Sequence, residues 1–523
     1  MNTLARKYFP FVLIPNFLYY DKFIAEMKRK LTLSFKQKAI VTNVVWSLGG
    51  KIVNMVSALF VGILVARYLG PENYGIMNYV ISYVSIFTIV ATFGMSNIEI
   101  RELSRNKEKK NSILGTCFII RVCFSLIAYL GVVLSLFVFQ IDRFTTIMIL
   151  VYGLTLFTGI SELSRNYFIS IVENKYIVKS EIFRTLVGAI VKIGLLFLKA
   201  PLEYFIIAQV FDTFLVASGY YYSYKVIVGS VRNWTFDKTI VPFFIKESFP
   251  LLLSGAAIVI YQRIDQVMIG NMLNKTEVGY FATAGKFVDL ILFLPAILVQ
   301  TITPILVREK ECDSYSYEAK KRTFVGITTW VSLLMALAIS LSAYWMIIYT
   351  YGEKYALAIP VLQIMAFKAV GMALSAAGGQ IIIIEHIQKW AFIRNVLGCF
   401  LCVILNYLFI PKYGIIGSAI VTVITVFFTG CISNIFIPSY HKILKLQIYA
   451  MFWGWKDMVY FRFLSVRLNR LKNKLLANYL RNRGNDLATV RNSAFCVAIL
   501  SNNSFICKYN IFFRKYELSV AIL

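Results

Sequence analysis

Runs of about twenty apolar residues recur from residue 40 to residue 438, each long enough for the hydrocarbon core of a bilayer. Inside lipid a backbone N–H or C=O finds no partner outside its own segment, so runs of this length must be helices. A membrane barrel would instead show alternation over segments of about ten residues. With 59% hydrophobic residues, 15% charged residues and a mean hydropathy of +0.69, a soluble domain is excluded. The sequence specifies an all-α polytopic membrane protein.

The spans, about twelve, are predicted at 40–66, 74–97, 113–139, 144–168, 177–199, 202–224, 248–273, 278–303, 323–349, 355–384, 391–410 and 414–438. Their connections alternate in character. The turns near Pro71, Asp142, Pro201, Lys275, Gly352 and Lys412 are short, whereas IEIRELSRNKEKKNS, KVIVGSVRNWTFDKTIVPFFIKE and VREKECDSYSYEAKKR are longer and basic. The positive-inside rule puts the longer set and both termini on the cytoplasmic face. Of the net charge of +28, more than half sits in the tails: eight Lys/Arg against two acids in residues 1–38, and fourteen against three in residues 441–523. Basic segments beside spans lie against anionic lipids, and no basic module with stacking aromatics points to nucleic acid.

Two seven-residue turns repeat. Leu69 to Gly75 and Leu273 to Gly279 share an L-x5-G pattern 204 residues apart, each between a long span and the next. The expected organisation is a basic segment (1–38), an N-lobe of helices 1–6 (39–230), an inter-lobe linker (231–247), a C-lobe of helices 7–12 (248–440) and a basic interfacial tail (441–523). Residues 1–26 contain no span, and Met27, which opens MKRKLTLSFKQK, is an alternative start.

The chain resembles a known family in three places. ARYLGPENYG after the first span, RIDQVMIGNMLNKTEVGYFATAGK across the seventh and eighth, and KILKLQIYAMFWGWKD after the last are similar to the polysaccharide flippases of the MOP exporter superfamily. These are O-antigen or capsule repeat-unit translocases of bacterial inner membranes, serving polysaccharide and lipopolysaccharide biosynthesis. The resemblance, over roughly residues 36–460, implies a V-shaped pair of six-helix lobes that opens a central cavity to each side in turn. It also implies an undecaprenyl diphosphate-linked oligosaccharide as substrate, with other polysaccharide assembly proteins as further partners.

The residues themselves supply a candidate site. Lys51, Arg121, Arg184, Lys192, Arg263 and Lys286 lie within predicted spans, as do Lys368 and the acids Asp265 and Asp289. A charge at the bilayer centre costs about 2.5–3.5 kcal/mol on insertion scales, so these groups must line a wet cavity or pair with one another. Their cationic surplus suits a polyanion, and a diphosphate fits it. Lys51, Arg263 and Lys368 sit deepest and are the primary candidates, with Lys192 and Arg121 secondary. Ser47, Lys51, Asn54, Ala58 and Gly62 form one helical stripe, and Arg121-Ser125-Ala128, Arg184-Gly188-Lys192 and Lys368-Gly371-Ser375-Gly378 form others. Close helix packing through small residues is the alternative meaning of such stripes. Arg121, Arg184 and Lys286 lie near predicted helix ends, where snorkelling competes with a substrate role. Asp265 either pairs with Lys286 or couples H+ or Na+ to conformational change. Tyr261 is a candidate for touching sugar rings.

Other chemistry is excluded. Cys399-Phe400-Leu401-Cys402 lies in an apolar helix, and His386 and His441 are isolated, so neither a metal site nor a cofactor is expected. No nucleotide fingerprint or nucleophile elbow is present, and an enzyme is not expected. Two alternatives remain open: a multidrug or other cation-coupled antiporter of the same fold, which would need acids in its cavity, and an integral-membrane oligosaccharide polymerase, which would need a large external loop.

Overall fold

The computed structural model describes residues 35–457 apart from 140, 313, 388 and 389, and the expectations for residues 1–34 and for the tail beyond 457 lie outside them. The described residues are predominantly helical, joined by short turns, with no strand among them. The helices are α1 (Phe35–Thr92), α2 (Ser96–Arg105), α3 (Lys110–Val138), α4 (Arg143–Gly153), α5 (Glu162–Ser170), α6 (Asn174–Phe197) and α7 (Leu202–Ile227). They continue with α8 (Val241–Met272), α9 (Lys275–Ile291), α10 (Phe293–Cys312), α11 (Ser314–Thr350), α12 (Ala358–Met365), α13 (Lys368–Ile384) and α14 (Ala391–Gly430). A 3₁₀ stretch, Leu154–Ser161, joins α4 to α5 within one pass.

Nine helical stretches among the described residues are long and apolar enough to cross a membrane. Two of them fold back on themselves. In α1 the chain turns at Gly70 (φ 71°, ψ 172°) ahead of Pro71, and in α14 at Gly414 (φ 58°, ψ −143°) after Pro411. Glycine tolerates the positive φ and proline cannot extend the helix that precedes it. The 24-residue α6 adds another pass; it is rich in charge rather than short. The passes among the described residues then agree with the twelve read from the apolar runs.

The two repeated turns meet. Gly75 packs on the carbonyl of Lys275 and Gly279 on that of Pro71, so closely that a Cβ at either position would collide with the opposing backbone. This close approach explains both glycines. Around it, the Tyr355 hydroxyl donates to the Ala66 carbonyl at 2.7 Å, and the Tyr68 hydroxyl to the Ala200 carbonyl at 3.1 Å. A buried cluster including Tyr74, Tyr79, Tyr351 and Tyr355 closes this end, called the turn end below. From there the second pass of α1 runs along α8. The Tyr79 hydroxyl donates to Asn271 Oδ1 and Ser82 Oγ to Gln266 Oε1, each at 2.6 Å, and Gly255 and Gly94 bring α8 against Ile89 and the chain after α1.

At the opposite, basic end the segment before α8 is pinned to the first half. The Thr235 amide donates to the Asn111 carbonyl at 3.1 Å, the Asp237 amide to Thr116 Oγ1 at 3.0 Å, and Arg101 pairs with Glu247 at 3.1 Å. Residues 441–457, expected to begin a surface tail, form a helix packed into the second half. Gln447 is fully buried there and donates to the carbonyls of Leu374 and Gly430, and the Trp330 indole donates to the Ala450 carbonyl at 2.9 Å.

Candidate functional site

Two adjoining cavities lie between the halves. The larger, about 530 Å³, is walled by α1, α6 and α7 and reached by α9; its polar lining includes Lys51, Asn54, Arg184, Lys192, Asp212 and Lys286. The smaller, about 130 Å³, is walled by α8, α9 and α13 and carries Arg263, Asp265, Lys286, Asp289 and Lys368. Asn78 and Lys286 line both, so Lys286 stands at the junction.

The charges differ in how far they are already satisfied. Lys192 ion-pairs with Asp212 and lies 3.4 Å from Gln209 Oε1. Asp265, 2% exposed, accepts from Asn406 Nδ2 and Thr422 Oγ1, each at 2.7 Å, and from Cys402 Sγ at 3.4 Å, while Asn406 is itself oriented by Ser418 Oγ at 2.8 Å. Its carboxylate is thus solvated by side-chain donors of α14, and among the described residues it forms no ion pair with Lys286. Lys51, Arg184, Arg263, Lys286 and Lys368 have no ion-pair partner among the described residues, and the Arg184 Nε is buried with nothing to donate to. Asp289 is the remaining acid on the walls. Concentrated in a space bounded by apolar helices, this surplus attracts an anion more strongly than it would in open water.

The stripes turn out to combine lining with packing. Lys51, Asn54, Ala58 and Gly62 line the large cavity, whereas Ser47 accepts from Asn174 Nδ2 at 3.1 Å and Gly50 seats on Val178. Arg184, Gly188 and Lys192 line the same space. Lys368 reaches the small cavity, but Gly371 packs on Phe427 and Gly378 on Gln447. Arg121 lines neither cavity. It is fully buried, donating to both carboxylate oxygens of Glu99 at 2.8 and 2.9 Å, to the Gly159 carbonyl at 2.7 Å and to Glu162 at 3.3 Å. Glu99 also accepts from Asn166 Nδ2 at 2.6 Å, so the network ties α2, α3 and α5 together. Tyr261 sits in a small core with Cys402 and Val421 rather than on a cavity wall. Among the described residues no group of His, Cys, Asp and Glu could hold a metal.

Comparison with known proteins gives this geometry a context. A family profile described as "Polysaccharide biosynthesis protein" matches residues 40–310, just over half of the 523-residue chain. The chain belongs to that polysaccharide biosynthesis family. Membership is consistent with the fold. An inward-facing multidrug resistance MATE transporter of the MOP superfamily aligns with a TM-score of 0.59 at 15% identity, covering 76% of this chain and 98% of that one. The lipid II flippase MurJ in an inward closed conformation aligns with a TM-score of 0.58 at 14% identity, covering 91% and 100%. A Pyrococcus furiosus MOP transporter, described as having a binding pocket of reverse polarity that suggests a different function, gives 0.53 at 14%, covering 81% and 96%. No curated protein matches the chain. At these identities the likeness establishes the fold: this polysaccharide biosynthesis protein shares the all-helical architecture of those solved transporters and of MurJ.

Proposed function

We propose that the protein flips an undecaprenyl diphosphate-linked oligosaccharide repeat unit across a bacterial inner membrane by alternating access, as in O-antigen or capsule assembly. The observation that carries this reading is the surplus of unpaired cations on the two cavities, Lys51 and Arg184 on the first half, Arg263, Lys286 and Lys368 on the second. A diphosphate held between them would bridge the halves, with Lys286 at the junction and the arginines able to clamp two oxygens at once. Lys192, held by Asp212, would join only if that pair opened, and Arg121 would act from a distance by fixing the helices behind the cavity.

The turn end is packed shut, and in this reading it faces outward while the basic end and both termini face the cytoplasm, where anionic lipids meet the tails. The N-lobe and C-lobe would then be the two rocking bodies, residues 39–230 and 248–440, joined by 231–247. Asp265 is the candidate for coupling to H+ or Na+, because a buried carboxylate held by neutral donors can exchange a cation without breaking an ion pair. A multidrug antiporter fits less well, since cationic drugs would meet a cationic wall. The test is glycan export in a deletion strain complemented with alanine variants of Lys51, Arg263, Lys286 and Lys368, with membrane levels measured alongside. Accumulation of the lipid-linked repeat unit on the cytoplasmic face is expected; normal export by well-expressed variants would remove the site.

A further inference from the structure

A third cavity, about 590 Å³, lies away from the central pair, on the outer surface of the first half. It exists because the pass between α3 and α7 is narrowed. Leu154–Ser161 winds as a 3₁₀ helix, slimmer than an α-helix, and leaves a trough between its neighbours. The trough is walled by Phe118 and Ile119 of α3, Phe157 of the 3₁₀ stretch and Phe214 and Tyr221 of α7. Two of the hydroxyls within it are already used: Thr158 donates to the Thr155 carbonyl at 2.6 Å and Ser161 to the Thr158 carbonyl at 2.7 Å. With Ser164 and the Tyr221 hydroxyl the remaining polar groups, the body of the trough is mainly apolar. From Phe214 to Tyr221 it extends about 10 Å along α7, at 1.5 Å per residue.

Its mouth is different. The segment between the halves crosses the basic end of the trough, contributing Val231, Arg232, Trp234 and Phe236. Trp234 is fixed, its indole donating to the Tyr224 hydroxyl at 3.0 Å and its ring 6.0 Å from that of Phe118. Arg232 is exposed and has no acidic partner among the described residues. An aromatic at the polar boundary, a cation beside it and an apolar trough running into the bilayer match the chemistry of one amphiphile: anionic head, apolar tail.

We infer that this trough is a binding site for an anionic phospholipid of the leaflet at the basic end, with an acyl chain along Phe118, Phe157 and Phe214 and the phosphate on Arg232. Its position matters because the segment over its mouth is the only covalent link between residues 1–230 and 248–523. A lipid seated there touches that link and both the helices it rests on. The volume lies within the usual range of a ligand site, which makes occupancy by a single chain sterically feasible.

Native mass spectrometry of the full-length protein in detergent tests the assignment, with palmitoyl-oleoyl phosphatidylglycerol titrated against phosphatidylcholine of the same chains. The wild type should hold one phosphatidylglycerol in preference to phosphatidylcholine. Arg232→Gln, an exposed change that leaves folding intact, should weaken that binding roughly tenfold, as loss of one charge-assisted contact does. Ala217→Trp, which fills the trough, should abolish it. Equal retention of phosphatidylglycerol by all three proteins, or no preference between the two lipids, would overturn the proposal. So would displacement of the bound lipid by undecaprenyl phosphate, because the trough would then hold a prenyl tail.

Discussion

At the level of single residues, what separates the membrane-embedded charges is whether the fold has already answered them. Arg121 is answered completely, by Glu99, Glu162 and a backbone carbonyl. Arg121→Ala should therefore behave as a folding variant, leaving Glu99 buried without its cation at a cost of about 3–5 kcal/mol. Thermal unfolding of the purified protein should fall accordingly, and Arg121→Met combined with Glu99→Leu should regain most of the loss. Recovery of glycan export by that double variant would separate a scaffolding arginine from a substrate-binding one. Lys51, Arg263, Lys286 and Lys368 have no ion-pair partner among the described residues, and alanine at any one should leave unfolding unchanged while weakening binding of a diphosphate lipid by about tenfold or more, each contact being worth about 1.5–3 kcal/mol. At Asp265 the isosteric change Asp265→Asn keeps a side chain of the same shape but removes the charge. If the carboxylate carries the coupling ion, export by this variant loses its dependence on the proton or sodium gradient while binding of the diphosphate lipid persists; unchanged gradient dependence would end that role.

Among the elements, the two L-x5-G turns bear most on how the halves move. Gly75 and Gly279 let two backbones touch, and a side chain at either forces them apart. Gly279→Leu should shift the protein toward states in which the turn end is open. Spin labels at residues 72 and 275 would report this as a longer and broader distance distribution than in the wild type, and an unchanged distribution would show that the contact does not hold the end closed. This contact is also where sequence and structure agree most closely. A pattern repeated at 204 residues marked both turns, because close backbone approach leaves glycine no substitute. The passes were equally legible, since lipid imposes one length and one conformation on all of them. The sorting of the charges was not. Helical spacing sets Arg121 and Lys368 on equally polar stripes, but spacing says nothing of what faces a stripe, and only the assembled bundle brings Glu99 to one and an open cavity to the other. Lys286 was ambiguous for the same reason: its distance from a helix end suggested snorkelling, whereas the meeting of α9 with α1 puts it at the junction of both cavities. Arg184 reads from the sequence as an in-span cation near a helix end, on an i, i+4, i+8 stripe with Gly188 and Lys192, and all three line the large cavity.

For the whole molecule, one arrangement links topology to the proposed transport. Two sets of passes meet at a closely packed turn end, enclose a cationic space between them and are joined by a basic segment at the other end. Tags at residues 72 and 275 should be accessible from outside intact cells, and tags at 108, 236 and 315 only after permeabilisation; accessibility of residue 108 in intact cells would invert the arrangement. The most direct test of the central claim is binding of undecaprenyl diphosphate and of undecaprenol to the purified protein and to its Lys51→Ala/Lys286→Ala/Lys368→Ala variant, followed by native mass spectrometry. The account predicts that the wild type binds the diphosphate far more tightly than the uncharged alcohol and that the triple variant, still folded, loses that preference. Equal affinity for the two lipids in the wild type, or a preference kept intact by the variant, would contradict it.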